Sequence, residues 1–515
     1  MNRTTIPPAP GAIPDETGGP CPRSARAAGL AVTLALVVSL PACGILGPRP
    51  TERNGPPVVV PERFSTTGEA AVPDRWWESF EDATLDRLVK EALGRNLDLK
   101  VAWDRLDQAA ALARQAGAPE WPALDAVGDV GFTRARARSS FTGETDTFTV
   151  EDYLLGLRVA YEVDLWGRIR RTREAAELDV RASASDVAAT AMVLAARVAA
   201  AWYELVQQQA SLDLFEEQRK ISRTLLDLVE LRFKQGSVSA VDVFQQRRQL
   251  EAVKAEIPLA RMRSSVLEHQ LAVLLGHPPT RQVAEPLRVI PGLPPRPATG
   301  VPAALVQRRP DLKAALARLA AADQRTAAAI ADRFPALRLT GRLETAGVDI
   351  QDLFSLWLAN LAAGLTAPLI DGGRRAAEVD RTRAVASERL HQYGQTVLNA
   401  CQEVEDALVQ EHRQAQYLEN VTLRVGIARE ELRRTRERYL NGVTDYIPVL
   451  ASIQGLQLLE RQQLEEQRKL IQYRIDLYRA LGGGWKLERP APDALAAADP
   501  AGDGGREEAE PPEKK

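Results

Sequence analysis

Tyr161-Glu-Val-Asp-Leu-Trp-Gly-Arg-Ile-Arg-Arg171 is the stretch whose reading decides the fold, because a strand pattern ends inside it and a helix pattern begins. Upstream, Tyr153, Leu155, Leu157, Val159, Tyr161 and Val163 alternate with Asp152, Gly156, Arg158, Ala160, Glu162 and Asp164. A period of two with one apolar and one polar face is a strand. Past Gly167 the alternation stops, and neither proline nor glycine recurs before Gly236. At about 1.5 Å per residue that run makes a helix of roughly 100 Å. Apolar positions within it (Ala191, Leu194, Val198, Ala201, Leu205) step by threes and fours, with Gln208 and Arg219 in the seam. Such a wide, small-residue seam suits helices packed side by side around a tube.

Working outward, a helix pattern over 82–118 carries Leu85, Leu88, Val89, Ala92, Leu99 and Ala102 and stops at Pro119 and Pro122. A strand follows at about 123–136, then a polar loop, then the strand 150–165. Beyond Gly236 a second helix runs from Ala240 to Leu275, with Pro258 expected to kink it. The pattern then starts again. Asp98-Leu-Lys100 returns as Asp311-Leu-Lys313 and Pro122-Ala-Leu124 as Pro335-Ala-Leu337, both 213 residues on. Gly167, Gly236 and Leu275-Gly276 return as Gly373, Gly442 and Leu481-Gly482, all 206 residues on. The offset falls by seven inside the hairpin alone. Strands of the second half are expected at 336–345 and 356–369.

The chain therefore divides into a leader (1–42), a proline-rich tether (43–73), two repeats (74–290 and 291–486) and a disordered tail (487–515). Four strands cannot close a barrel, but several copies can, which removes the exposed edges. The expected class is an α+β membrane protein: long α-helices forming a helical barrel, topped by four membrane strands per protomer. Trp121, Trp166 and Trp357, at strand ends, suit an interfacial girdle, although core positions would also hold them.

Composition excludes other classes. The chain has 515 residues, 45% hydrophobic and 26% charged, so it can bury a large core. A net charge of −3 gives no preference for nucleic acid. Its four histidines have no ligand spacing, and Gly482-Gly-Gly484 ends a helix instead of following a strand, so neither a metal site nor a phosphate loop is expected. With no nucleophile elbow and no paired carboxylates, the chain reads as neither an enzyme nor a cofactor protein. Arg23 and Arg26 precede an apolar run, Ala27 to Leu40, too short to cross a bilayer. Leu40-Pro-Ala-Cys43 then resembles a bacterial lipobox, implying cleavage and lipidation at Cys43, with an ordinary signal peptide as the other reading. Cys401 has no internal partner.

Several words along residues 74–486 resemble the TolC-type outer-membrane efflux factors, close to their NodT-like lipoprotein branch. They include Trp76-Trp77-Glu-Ser-Phe80, Asn96-Leu-Asp-Leu99, Tyr161 to Arg168, Asp371-Gly-Gly-Arg374, Glu403-Val-Glu-Asp-Ala-Leu408, Arg438 to Tyr446 and Tyr478 to Trp485. The resemblance implies a homotrimer in the cell outer membrane, with twelve strands in one barrel and a twelve-helix periplasmic tunnel below it. It also implies a periplasmic membrane-fusion adaptor and an inner-membrane RND-type pump as partners, with no chemistry of the chain's own. It places the periplasmic tip at the two helix turns, with Gly236, Asp242 and Gly442 towards the adaptor and Arg438 and Asp445 as gate candidates. Pro448 and Ala451 stand where some relatives carry an acidic ring. The blander readings are that the glycines only end helices, Asp242 only caps one, and the arginines after the strands (Arg168, Arg170, Arg171, Arg374, Arg375) form a solvated collar. A periplasmic coiled-coil scaffold or adaptor without a pore is the alternative function.

Overall fold

The computed structural model describes residues 48–49, 51, 57–69, 73–138, 143, 145–279, 287–482 and 487–489. The leader, Cys43, parts of the tether, Gly483, Gly484 and the tail beyond 489 lie outside the described residues. In chain order the elements are α1 (Ala83–Arg95), α2 (Leu97–Gly117), β1 (Ala123–Arg138), β2 (Thr145–Val163), α3 (Arg168–Lys234) and α4 (Ala240–Leu274). There follow α5 (Leu305–Arg308), α6 (Pro310–Ala331), β3 (Ala336–Gly347), β4 (Trp357–Thr366), α7 (Arg374–Leu440) and α8 (Tyr446–Leu481). Both long helices have 67 residues, about 100 Å each. α3 packs against α2, α4, α6 and α8, and α7 packs against α6 and α8. α4 runs through Pro258 without a break.

The helix expected over 82–118 is two helices, and Asn96 is the reason. Its backbone is extended (φ −57°, ψ 131°), its Oδ1 accepts the Leu99 N–H at 3.0 Å, and its Nδ2 donates to the Leu274 carbonyl at 2.9 Å. A cap bonded at both ends holds the bend. The same bend recurs at Arg309, 213 residues on, where Nη1 donates to the Ala480 carbonyl at 3.0 Å.

The apolar stripes of α1, α3, α4 and α8 meet around Trp76, Trp77 and Phe80. Trp76 stacks on Tyr478 at 5.5 Å. Asp82 Oδ1 caps α1 while its Oδ2 accepts the Trp202 indole N–H at 2.7 Å, so one carboxylate joins the helix start to the core. α3 includes a window apolar enough to cross a membrane by length and composition, the one such helix among the described residues. Half of that window is buried inside the chain.

The strands form one antiparallel sheet, β1-β2-β3-β4. β2 begins at Thr145, so the second half of the expected polar loop is strand, and β4 ends at Thr366, ahead of Pro368, which cannot donate to a ladder. β1 pairs with β2 from Ala123↔Ala160 to Arg138↔Thr145, whereas β3 reaches no further up β2 than Gly347↔Tyr153. The β1–β2 hairpin thus overshoots the rest of the sheet as a two-stranded ribbon.

Candidate functional site

No cluster of His, Cys, Asp and Glu able to hold a metal ion occurs among the described residues. The one free cysteine described, Cys401, is half-buried, and burial pushes its thiol up, away from the reactive thiolate. Two surfaces stand out instead: the faces of the sheet and the turns at the far end of the helices.

Register sorts the sheet residues by face. Across one face run Leu124↔Val159↔Gly341↔Leu361 and Ala126↔Leu157↔Leu343↔Ala359. Leu361, Leu365, Leu124 and Leu343 on it stand 51–87% exposed, with nothing among the described residues covering them. Across the other face run Asp125↔Arg158↔Arg342↔Asn360, joined by Glu162, Arg338 and Glu344. Arg158 pairs with Glu344 at 2.9 Å, and Glu162 accepts from Arg168 at 2.7 Å and Arg338 at 3.4 Å. The apolar stripe from Leu124 to Phe132 is about 26 Å long at roughly 3.3 Å per residue, the height of a hydrocarbon band.

Below the sheet the switch motif explains itself. Gly167 and Gly373 adopt φ of +77° and +84°, which lets the chain turn from strand to helix. Asp164 then accepts the N–H groups of Ile169 (3.1 Å) and Arg170 (2.8 Å), and Asp371 those of Gly373 (3.1 Å) and Arg375 (3.3 Å). Each carboxylate satisfies orphan donors at the positive end of a 67-residue helix. The collar arginines are partly spoken for: Arg171 pairs with Glu174 at 2.7 Å and Arg375 with Asp332 at 2.9 Å. A cleft of about 600 Å³ lies between the two junctions. Trp166, at its wall, stacks on Phe334 at 4.8 Å and donates its indole N–H to the Pro335 carbonyl at 2.8 Å. Trp121 and Trp357, by contrast, are 76% and 74% exposed.

At the far end both long helices close with the same C-cap. Gly236 (φ +72°) donates to the Phe233 carbonyl at 2.9 Å, and Ser237 donates to that of Arg232 at 2.9 Å. Gly442 (φ +68°) and Val443 repeat this on Tyr439 and Arg438 at 3.1 and 2.9 Å. Asp242 completes a capping box with Ser239, so its carboxylate is already bonded within its own turn. Asp445 occupies the N-cap of α8 without a side-chain bond, and neither it nor Arg438 makes an ion pair among the described residues; both are exposed. The charged residue that joins the two tips is Arg232. Its Nη1 and Nη2 donate to the carbonyls of Tyr439 (3.1 Å) and Leu440 (3.0 Å), and its guanidinium lies 4.5 Å from the Tyr439 ring centre. Tyr439 meets Tyr446 edge-on at 5.6 Å, and the Tyr446 hydroxyl donates to Gln246. Burial pushes that phenol well above its ordinary range, so it stays a donor.

The chain thus presents an apolar sheet face, a charged one and a helical tower that ends in two turns. A family model described as outer membrane efflux protein matches residues 88–277 and again 301–483. The chain belongs to that family. It is 31% identical over 470 residues to the pyoverdine export outer membrane protein OpmQ of Pseudomonas putida, covering 89% of this chain and 98% of the relative. It is 26% identical to the probable outer membrane lipoprotein SilC of Salmonella typhimurium, over 88% and 98% of the two chains. The solved outer-membrane channel OprN superposes with a TM-score of 0.79 at 26% identity, over 85% of this chain and 99% of that one. This efflux protein is therefore an outer-membrane exit channel and a transport protein, and the pore-less scaffold falls away.

Proposed function

We propose that three copies close one twelve-stranded barrel, β4 of each pairing with β1 of the next, above a tunnel to which every copy gives its two halves as duplicated walls. The observation that carries this is the sorted sheet: both edges are unpaired, one face is apolar and uncovered, and the other is charged. Closing the ring gives the edges partners and turns the apolar face to lipid. Trp121 and Trp357 then stand in the interfacial girdle, with Trp166 fixed behind them, and Cys43 carries the lipid anchor.

The tips meet the helical hairpins of a periplasmic membrane-fusion adaptor, which joins the channel to an inner-membrane RND-type pump. Around Gly236, Asp242 and Gly442, the side chains of Phe233, Val241, Phe244, Val443 and Ile447 are exposed and apolar, a surface suited to partner helices. Arg438 and Asp445 offer exposed charges beside the mouth, where Arg232 restrains the two tips. Solutes delivered by the pump pass without any chemistry by the channel. The test is single-channel conductance of cross-linked, detergent-purified protein in planar bilayers. Stable steps from a trimer support the reading, and a well-folded trimer that never conducts, even with Arg232 replaced, would defeat it.

A further inference from the structure

The ribbon that overshoots the sheet reverses the polarity of the faces below it. On the face of Leu124, Ala126, Val130 and Phe132, the next residues up β1 are Arg134, Arg136 and Arg138, opposite Thr149, Thr147 and Thr145. The opposite face bears Ala135, Phe148 and Val150. Phe132 and Tyr153 mark the top of the apolar stripe on the two strands, and the arginines begin about 7 Å above Phe132 and end about 20 Å above it. All three are exposed. Arg134 and Arg136 make no ion pair among the described residues, while Arg138 donates from Nε to the Gly143 carbonyl at 2.8 Å. The acid on this face, Glu151, sits opposite Phe132 and is engaged by the Tyr153 hydroxyl at 3.0 Å.

We propose that this arginine and threonine ladder binds the phosphate groups of the glycolipid that packs around the barrel in the outer leaflet. The inference rests on the barrel reading above, which puts the apolar stripe in hydrocarbon and the ribbon at its outer surface. Arginine forks match phosphate oxygens two bonds at a time, and threonine hydroxyls beside them add donors. Exposed guanidinium groups stacked directly above a hydrocarbon band meet headgroup phosphates before they meet bulk water.

The experiment measures retention of bis-phosphorylated lipid A, and of the same glycolipid with both phosphates removed, by the purified full-length trimer in native mass spectrometry. The wild type should prefer the phosphorylated form, and R134Q/R136Q/R138Q should bind it on the order of 100-fold more weakly, since each basic residue at an anionic lipid surface contributes roughly fivefold. Arg136→Gln alone should show a single such step, which keeps the test sound if the triple variant folds poorly. Equal retention of the two glycolipids by a conducting trimer, or undiminished binding by both variants, overturns the lipid contact alone. A chain that forms no conducting trimer overturns the barrel reading beneath it as well.

Discussion

Replacing Arg232 with alanine should loosen the contact between the two helix tips. The guanidinium crosses from the last turn of α3 to the end of α7, where the Leu440 carbonyl lies beyond the helix's own supply of donors and the Tyr439 carbonyl, already accepting from Gly442, takes a second bond. Two charge-assisted hydrogen bonds at a half-buried site, together with stacking on Tyr439, come to about 2 kcal/mol after allowance for solvent. That is roughly a 30-fold change in any equilibrium in which the tips separate. Arg438 makes no such bonds among the described residues, so Arg438→Ala should leave that equilibrium nearly where it is, and Arg232→Lys, a point charge without the fork, should fall between. The assay is single-channel recording of purified trimers, comparing the open fraction of the three variants with wild type. If Arg232→Ala conducts as the wild type does, or if Arg438→Ala is the stronger opener, the carbonyl clasp is not what holds the tip.

Asp164→Ala removes the acceptor for two N–H groups at the start of α3 and should cost about 1–2 kcal/mol, read as a lower thermal midpoint of the trimer. Gly236→Ala should cost about 1 kcal/mol, for conformation alone, because nothing lies within 4 Å of the new methyl. Gly276→Ala should cost clearly more in denaturant unfolding, since its methyl would sit 2.7 Å from the Arg95 carbonyl oxygen. Glu411 tests the interior charges. Burial alone would raise its carboxyl, but Arg474 (2.8 Å) and Arg296 (2.9 Å) outweigh that and hold it below the ordinary glutamate range. A folded value below the unfolded one means its contribution is present at neutral pH and lost as pH falls through the folded value, below the usual 4.5. Glu411→Gln, leaving the buried Arg474 without its anion, should cost about 3 kcal/mol or more at pH 7. It should also flatten the acid limb of thermal midpoint against pH; a limb as steep as wild type would refute the assignment.

What could be read from sequence is what repeats locally. The two-residue alternation before Val163, the long run free of proline and glycine, and the twin switches at Gly167 and Gly373 each express themselves within a few neighbours. The Ser239–Asp242 capping box was open to the same kind of reading, being a cap and its partner three residues apart. Asn96 and Arg232 were hidden for the opposite reason. The bend at Asn96 depends on a carbonyl 178 residues away, and the tip clasp spans 207 and 208. Trp166 likewise finds Phe334 and Pro335 only once β3 lies beside β2, so no local pattern shows that its indole is engaged. Threonine-rich residues 145–149 read as loop because they are polar, yet β-branched threonine suits a strand whose neighbours across the ribbon are arginines.

The uneven offset between the halves has a physical reason in these same contacts. α3 and α7 are both 67 residues long and share α6 and α8 as neighbours. One residue added to either would turn everything beyond it by about 100° and shift it by about 1.5 Å, taking apolar positions out of their seams. The turns at Gly236 and Gly442, joined through Arg232, would then no longer meet. A hairpin carries no such constraint at its open end, because residues added there only lengthen the ribbon and leave the register beneath unchanged. The extra seven residues of the first half fall in that hairpin, where length is free to vary and where the arginine ladder stands.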